Sequence, residues 1–205
     1  MKNNKLNKYG IAGLLAPIIF LVTYFLMSSF RPEYSHLTKA ISELGSLDAP
    51  NKWWWNIIGY MLVGGMISFF AIGLKQSVNP DGKGKLAFWG LFLSGLFMSI
   101  SGVFPGDFDN RTSLTMILHA IGSFGSFVFF LIAAFAYPKQ LRKSEYWKKA
   151  ATPSLILTIL SIISGFLRTG SAPGLGQRIG FFFYFLWIGY LAYMLLNKRK
   201  EINTV

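Results

Sequence analysis

The stretch LTMILHAIGSFGSFVFFLIAAFAY, residues 114–137, continues for 24 residues without a Lys, Arg, Asp or Glu. As an α-helix it is about 36 Å long, more than the roughly 30 Å hydrocarbon core of a bilayer. Five further apolar runs have a similar composition and are each interpreted as a span: Tyr9–Phe30, Trp53–Leu74, Leu86–Phe104, Thr152–Leu167 and Ile179–Leu196. The sequence therefore predicts an all-α polytopic membrane protein, with six transmembrane helices in one bundle that forms a single domain over residues 1–205.

The composition supports a membrane protein. Only 14% of the residues are charged and 53% are hydrophobic, whereas soluble domains carry about 25% charged residues. There is no cysteine, which excludes disulfides, thiolate catalysis and cysteine-ligated metals. The first span follows three lysines, but it is too long for a signal-peptide core and no small-residue cleavage site follows it, so we expect an uncleaved helix.

The net charge of +12 is distributed unevenly between the loops. Most Lys and Arg residues lie in the two terminal segments and in the loops after spans two and four, which is the positive-inside pattern. The remaining loops carry most of the acidic side chains: Glu33, Glu43, Asp48, Asp107 and Asp109. We therefore predict a multi-pass protein of the plasma membrane with both termini in the cytoplasm, and we interpret the basic charge as topology and not as a nucleic-acid interface.

The first outer loop contains the segment HLTKAISELG, His36–Gly45. At 100° per residue its apolar and polar side chains fall on opposite faces. Ser35 is a candidate N-cap and Gly45 a candidate stop. The pattern predicts a short amphipathic helix in the first outer loop, with Leu37, Ile41 and Leu44 seated on the bundle and Glu43 turned toward its mouth.

Several polar and ionisable side chains are expected at the outer side of the bundle: His36, Glu43, Asp107, Asp109, His119, Arg168, Gln177 and Arg178. His119 lies seven residues past Thr112, about 10 Å inside its helix. Ionisable side chains within a span are costly and are functional candidates. The alternative for His119 is a neutral imidazole that is hydrogen-bonded to a serine of a neighbouring helix.

Carboxylates and histidine at a membrane boundary suit general acid–base catalysis, which Glu43, Asp107 and His119 are predicted to supply. Arginines bind phosphate or carboxylate in a bidentate manner. Substrate binding is therefore assigned to these residues: Arg168, Gln177, Arg178, His36 and Asp109. The alternative is that the arginines form structural ion pairs with Glu43 and Asp107.

A divalent metal is the one cofactor that these side chains suggest. Two histidines with a carboxylate can bind zinc, and the Asp107-x-Asp109 pair can bind magnesium or manganese. No HExxH motif or close histidine cluster strengthens that hypothesis.

Four short blocks resemble, in order, the signature segments of a membrane family known as domain of unknown function 998. They are residues 41–45 (ISELG), residues 102–107 (GVFPGD), His119 followed by Gly122, and residues 174–178 (GLGQR). The resemblance implies a six-helix bundle in bacterial or archaeal membranes. It also implies that the family's polar positions are Glu43, Asp107, His119, Gln177 and Arg178, and it supplies no activity.

Three functions remain open on the sequence alone. The first is a membrane-embedded hydrolase or transferase that acts on a lipid or lipid-linked headgroup. The second is a protein that binds or transports a lipid or a small anion, although no carboxylate or basic residue deeper than His119 provides a proton path. The third is a scaffold whose polar network only fixes the loops.

Overall fold

The computed structural model describes residues 2–79, 81–167 and 172–203. Within these ranges there is no β-strand, and most residues belong to six long helices: α1 (Lys2–Ser29), α2 (Lys52–Val78), α3 (Lys85–Val103), α4 (Leu114–Leu141), α5 (Lys148–Phe166) and α6 (Pro173–Asn203). All six contain a segment that is long and apolar enough to cross a membrane. The prediction of an all-helical, multi-pass membrane protein is confirmed.

The six helices form a ring in chain order, because each packs on the next and α6 packs on α1. Aromatic side chains fill the interior, where Phe130 and Trp187 meet edge to face at 5.5 Å. Large apolar side chains such as Phe124 on α4 are exposed at the perimeter. Apolar side chains on both the inside and the outside of a bundle are typical of helices surrounded by lipid.

Small residues bring the helix backbones into direct contact. A Cβ atom built on Gly64 of α2 would lie 2.4 Å from the carbonyl oxygen of Gly95 on α3, and one built on Gly95 would lie 2.4 Å from that of Gly64. Gly122 of α4 is similarly close to the backbone of Ser101. Close approach at small residues is the usual packing device of membrane helices.

We call the end of the bundle that carries residues 30–51 the long-loop end. The loop is fixed to α2, whose residues Trp55–Leu62 form a π-helical segment. Buried Asn56 in that segment donates a hydrogen bond from Nδ2 to the carbonyl oxygen of Gly45 at 2.9 Å. A second backbone bond joins Leu47 N–H to the carbonyl oxygen of Gly106, in the loop between α3 and α4. The long-loop end is therefore held together by hydrogen bonds between segments that are distant in sequence.

The helical part of residues 36–45 is shorter than the predicted amphipathic helix. Only Ile41–Gly45 is helical, as one 3-10 turn. The carbonyl oxygens of Leu37 and Lys39 accept hydrogen bonds from α6, so they are not available to a regular helix here. Ile41 and Leu44 are each 2% exposed, as predicted, but Leu37 is 55% exposed and does not seat on the bundle.

Helix α6 begins earlier than predicted. The sixth span was predicted to start at Ile179, but the helix starts at Pro173. Proline suits the first helical position because its missing N–H is one that a helix start leaves without an intrahelical partner. The next two N–H groups, of Gly174 and Leu175, both donate to the carbonyl oxygen of Leu37, at 2.7 and 3.2 Å. The loop thus caps the helix.

Candidate functional site

Arg178, in the second turn of α6, is the centre of the polar network at the long-loop end. Its Nε donates to the Tyr24 hydroxyl at 2.7 Å and its Nη2 to the Tyr34 hydroxyl at 2.6 Å. Its Nη1 donates to the carbonyl oxygens of Lys39 (2.9 Å) and Gly174 (2.7 Å). The guanidinium is half-buried and lies 5.5 Å from both tyrosine rings, within cation–π range. It therefore ties α1, the loop and α6 together.

His36 extends this network to the surface. Its Nδ1 is hydrogen-bonded to the Tyr24 hydroxyl, and its exposed ring contacts the rings of Tyr24 and Tyr34 edge to face at about 5.5 Å. Burial is the main cause that raises the pKa of Tyr34 above its ordinary value, so this side chain is a neutral phenol. Arg178 consequently has a neutral hydroxyl partner in Tyr34.

A groove of about 540 Å³ between α1 and α6 leads away from this network. Phe20 and Phe185 are buried and form its floor, and their rings are 4.4 Å apart. Phe25 and Phe182 are exposed by 61% and 57% and form its edges, so the groove is open along the side of the bundle. Its walls are apolar except at the long-loop end, where the polar lining residues are Tyr24, His36 and Arg178.

A comparison with Arg31 shows what is unusual about Arg178. Arg31 is also at the long-loop end and is 9% exposed, but it forms ion pairs with Glu33 at 2.6 Å and Asp48 at 3.3 Å. Its hydrogen bond is the largest cause that lowers the pKa of Glu33. Arg178 has no carboxylate within 4.0 Å among the residues that the structure describes. The charge of Arg31 is compensated by two carboxylates, whereas Arg178 lies at the mouth of an apolar groove with no carboxylate beside it among the described residues.

The carboxylate of Glu43 was predicted to act with Asp107 and His119 or to pair with an arginine, and no hydrogen bond or ion pair joins it to any of these among the described residues. One carboxylate oxygen of Glu43 is 3.0 Å from Lys39 Nζ, and the other accepts the Ala40 N–H at 2.7 Å. These local partners are three and four residues away, and they hold the 3-10 turn in place. Glu43 therefore does not form the predicted ion pair with Arg178.

Gln177 has a role in the same junction. Its Oε1 accepts the Ile41 N–H at 2.7 Å, which fixes the 3-10 turn to α6. Gly174 permits the close approach, because a Cβ atom there would lie 2.6 Å from the carbonyl oxygen of Lys39 and 2.8 Å from that of Leu37. The segment GLGQR is thus the surface on which the loop docks.

The two aspartates of the loop between α3 and α4 do not join the network. Asp107 Oδ1 accepts the Asn110 N–H at 2.9 Å, a local turn contact. Asp109 is exposed, and no hydrogen bond or ion pair connects it with the other described side chains. No group of three or more His, Asp and Glu residues in the described ranges is placed to hold a metal ion.

His119 is 3% exposed and lies against the end of α3. Its Nδ1 is 3.0 Å from the carbonyl oxygen of Ser101 and 2.9 Å from that of Phe104, and it can donate a shared hydrogen bond to both. The Ser123 hydroxyl is 3.4 Å from Nε2. Carbonyls at a helix end have no intrahelical donor, so His119 satisfies the end of α3. The structural alternative expected a serine of a neighbouring helix as the partner, and the Ser101 hydroxyl is 3.3 Å from Nδ1.

No hydrogen bond or ion pair joins Glu43, Asp107 and His119 in the part of the chain that the structure describes. The structure does bring together His36, Gln177 and Arg178, on the same loop–helix junction. Arg168 lies outside the described residues.

Sequence reasoning missed Tyr24, Tyr34 and Arg31. Tyr24 lies within an apolar run, where a tyrosine is ordinarily interpreted as a packing or interface residue. The available signal was the pair of tyrosines on either side of the Ser28–Arg31 corner, since a phenolic hydroxyl near a span end usually finds a polar partner. Arg31 follows the span directly and has Glu33 two residues away, a spacing that suggests a local ion pair.

Comparison with known proteins adds the family. No curated protein and no solved structure matches the chain. A family model described as "Protein of unknown function (DUF998)" matches residues 14–194, nearly the whole length of the six-helix bundle. The chain therefore belongs to the DUF998 family.

Proposed function

We propose that this membrane protein binds a lipid with an anionic headgroup in the groove between α1 and α6, without changing its covalent structure. Arg178 contacts the headgroup, and His36 and Tyr24 complete the polar mouth. The observation that carries the proposal is a guanidinium that has no carboxylate partner among the described residues and lies at the end of a groove whose other walls are apolar.

Charge complementarity favours an anion as the missing partner. The acceptors around the Arg178 guanidinium are hydroxyls and backbone carbonyls, and charge-assisted hydrogen bonds to carboxylate or phosphate are stronger than bonds to such groups. Lys39, whose backbone carbonyl Arg178 contacts, already has its ammonium group paired with Glu43. The anionic acceptor that suits Arg178 is therefore one that a ligand supplies.

The proposal includes the orientation in the membrane. The long-loop end faces the exterior of the plasma membrane, and both termini lie in the cytoplasm. Its support is the concentration of basic side chains at the opposite end, which matches the positive-inside rule: Lys75, Lys83, Lys85, Lys139, Arg142, Lys143, Lys148, Lys149 and Lys198. The groove then opens to the outer leaflet.

Binding is favoured over hydrolysis or group transfer because of how the candidate acid–base residues are engaged. Glu43 is paired with Lys39, and His119 Nδ1 faces two backbone carbonyls. Neither of these side chains, nor Asp107, lines the groove. A catalyst must reach the reacting atoms within hydrogen-bond distance, and the groove offers Arg178, Tyr24 and His36 instead.

Replacing Arg178 by glutamine is expected to abolish the preference for anionic lipid. Purified protein would be mixed with phosphatidylglycerol and phosphatidylcholine of identical chains, and bound lipid would be counted by native mass spectrometry. We expect the unmodified protein to prefer phosphatidylglycerol, and Arg178→Gln to lower that preference roughly tenfold, as for one charge-assisted hydrogen bond. Arg111→Gln is the matched control, because it removes an exposed charge at the same end.

A lysine variant distinguishes the effect of the positive charge of Arg178 from its effect in anchoring the loop. Arg178→Lys keeps the positive charge but cannot serve four acceptors in a planar arrangement, so limited proteolysis of residues 30–51 should accelerate in both the lysine and the glutamine variant. Only the lysine variant should keep most of the lipid preference. Equal binding of both lipids by the unmodified protein, or an unchanged preference in Arg178→Gln, would disprove the proposed function.

A further inference from the structure

We infer that the ligand is a lipid whose headgroup bears a single negative charge and which places one chain along the groove, within one leaflet. This inference rests on the proposed function and adds the chemical class of the ligand. It is argued from two observations: the number of unused N–H donors at the mouth of the groove, and the length of the groove.

The mouth offers few free donors. A guanidinium has five N–H groups, and four hydrogen bonds of Arg178 already go to Tyr24, Tyr34, Lys39 and Gly174. Within the part of the chain that the structure describes, one N–H on Nη2 therefore remains for a ligand. His36 uses Nδ1 for Tyr24, so Nε2 is the ring nitrogen left to donate.

The mouth also offers one uncompensated charge. Among the described side chains of the junction, Lys39 is paired with Glu43, and Arg31 is paired with Glu33 and Asp48. A phosphodiester or a carboxylate matches the single charge of Arg178. A phosphomonoester carries about −1.5 to −2 charges near neutral pH, so part of its charge would remain without a partner in a half-buried position.

The groove has the length of one leaflet. Its lining residues extend from Leu14 to Phe25 on α1 and from Arg178 to Gly189 on α6. Each stretch advances eleven residues along its helix, a rise of about 16.5 Å, which is about half of the roughly 30 Å hydrocarbon core. A chain that starts with its headgroup at Arg178 therefore ends at Gly189, near the bilayer midplane.

The charge class is tested by competition at pH 8 on the full-length protein in detergent, with bound lipid counted by native mass spectrometry. The probes are phosphatidylglycerol, phosphatidate with the same chains, lysophosphatidylglycerol and oleate. We expect a two- to fivefold preference for phosphatidylglycerol over phosphatidate, roughly the size of one screened charge interaction. Lysophosphatidylglycerol should bind within about twofold of the two-chain lipid, because only one chain is in the groove.

The outcomes distinguish the inference about the ligand class from the proposed function. If phosphatidate binds as well as phosphatidylglycerol, or if loss of one chain abolishes binding, the inference about ligand class is wrong, while Arg178 dependence would still uphold the proposed function. Displacement of phosphatidylglycerol by oleate would identify a fatty acid as a source of the same monoanionic chemistry. Failure of oleate alongside retained phosphatidylglycerol would identify the phosphodiester lipid as the source.

A variant at the deep end of the groove tests the chain. A Cβ atom on Gly189 would be 3.7 Å from Pro17 Cγ, an ordinary contact, so Gly189→Leu can fill the groove without disturbing the fold. It should weaken binding of lipids with 18-carbon chains at least about threefold relative to those with 8-carbon chains, as loss of buried CH₂ contacts implies. Gly65→Leu is the control, because open space surrounds Gly65 on another face. Equal loss for both chain lengths would contradict the assigned chain position.

Discussion

Gly64→Leu is expected to prevent the bundle from assembling, whereas Gly65→Leu, one residue further along the same helix, is expected to be tolerated. A Cβ atom at Gly64 would be 2.4 Å from the Gly95 carbonyl oxygen and 2.7 Å from the Ser99 backbone nitrogen, and backbone atoms cannot move aside as a flexible side chain can. At Gly65 no heavy atom lies within 4 Å of such a Cβ atom. The two variants add the same volume and the same apolar area.

The measurement is the fraction of membrane-inserted protein that elutes as a single species in mild detergent, together with its thermal unfolding midpoint. We expect Gly64→Leu to lose at least about 3 kcal/mol of stability, at or above the upper range for overpacking, and to yield little monodisperse protein. Gly65→Leu should match the parent protein. Comparable behaviour of the two variants would show that α2 and α3 do not meet at Gly64 and Gly95.

His119→Ala is expected to produce the second large effect. It leaves the carbonyl oxygens of Ser101 and Phe104 without their shared donor and empties a buried volume. Loss of a donor to buried acceptors costs about 1–3 kcal/mol, and the cavity adds to that cost. We expect a clear drop in the thermal unfolding midpoint in detergent.

His119→Asn distinguishes a structural cap from a catalyst. The asparagine Nδ2 lies near the position of the histidine Nδ1 and can donate to the same carbonyls, so part of the lost stability should return. The preference for anionic lipid should be unchanged in the folded fraction of both variants, because His119 does not line the groove. An alanine variant that is as stable as the parent would contradict the capping role.

The six helices could be predicted from the sequence because long apolar runs have few alternatives to spanning a membrane. The convergence of Glu43, Asp107 and His119 could not be predicted correctly. Their placement at one end of the bundle follows from topology, but the partner of each side chain depends on local geometry. Glu43 forms an ion pair with Lys39, four residues away, and Asp107 accepts a hydrogen bond from a backbone N–H three residues away.

Arg178 illustrates the opposite case. The sequence identified it as a ligand-binding residue or as an ion-pair partner, and the structure gives it neither of the predicted carboxylates. Its partners are hydroxyls and carbonyls of α1, of the loop and of its own helix. No periodic pattern in the sequence predicts the contacts with α1 and the loop. Arg31 forms ion pairs with Glu33, two residues away, and with Asp48 on the same loop. The charge of Arg31 is therefore compensated by carboxylates of its own loop.

Photo-crosslinking with an anionic lipid tests the central claim most directly. A phosphatidylglycerol that carries a diazirine along one chain would be equilibrated with the full-length protein in nanodiscs and irradiated, and its adducts would be located by peptide mass spectrometry. The account predicts adducts concentrated on the groove, at Leu21, Phe25, Phe182 and Leu186, and reduced there by Arg178→Gln. An even distribution that includes the exposed faces of α4 and α5, at Phe124 and Ile156, would contradict it.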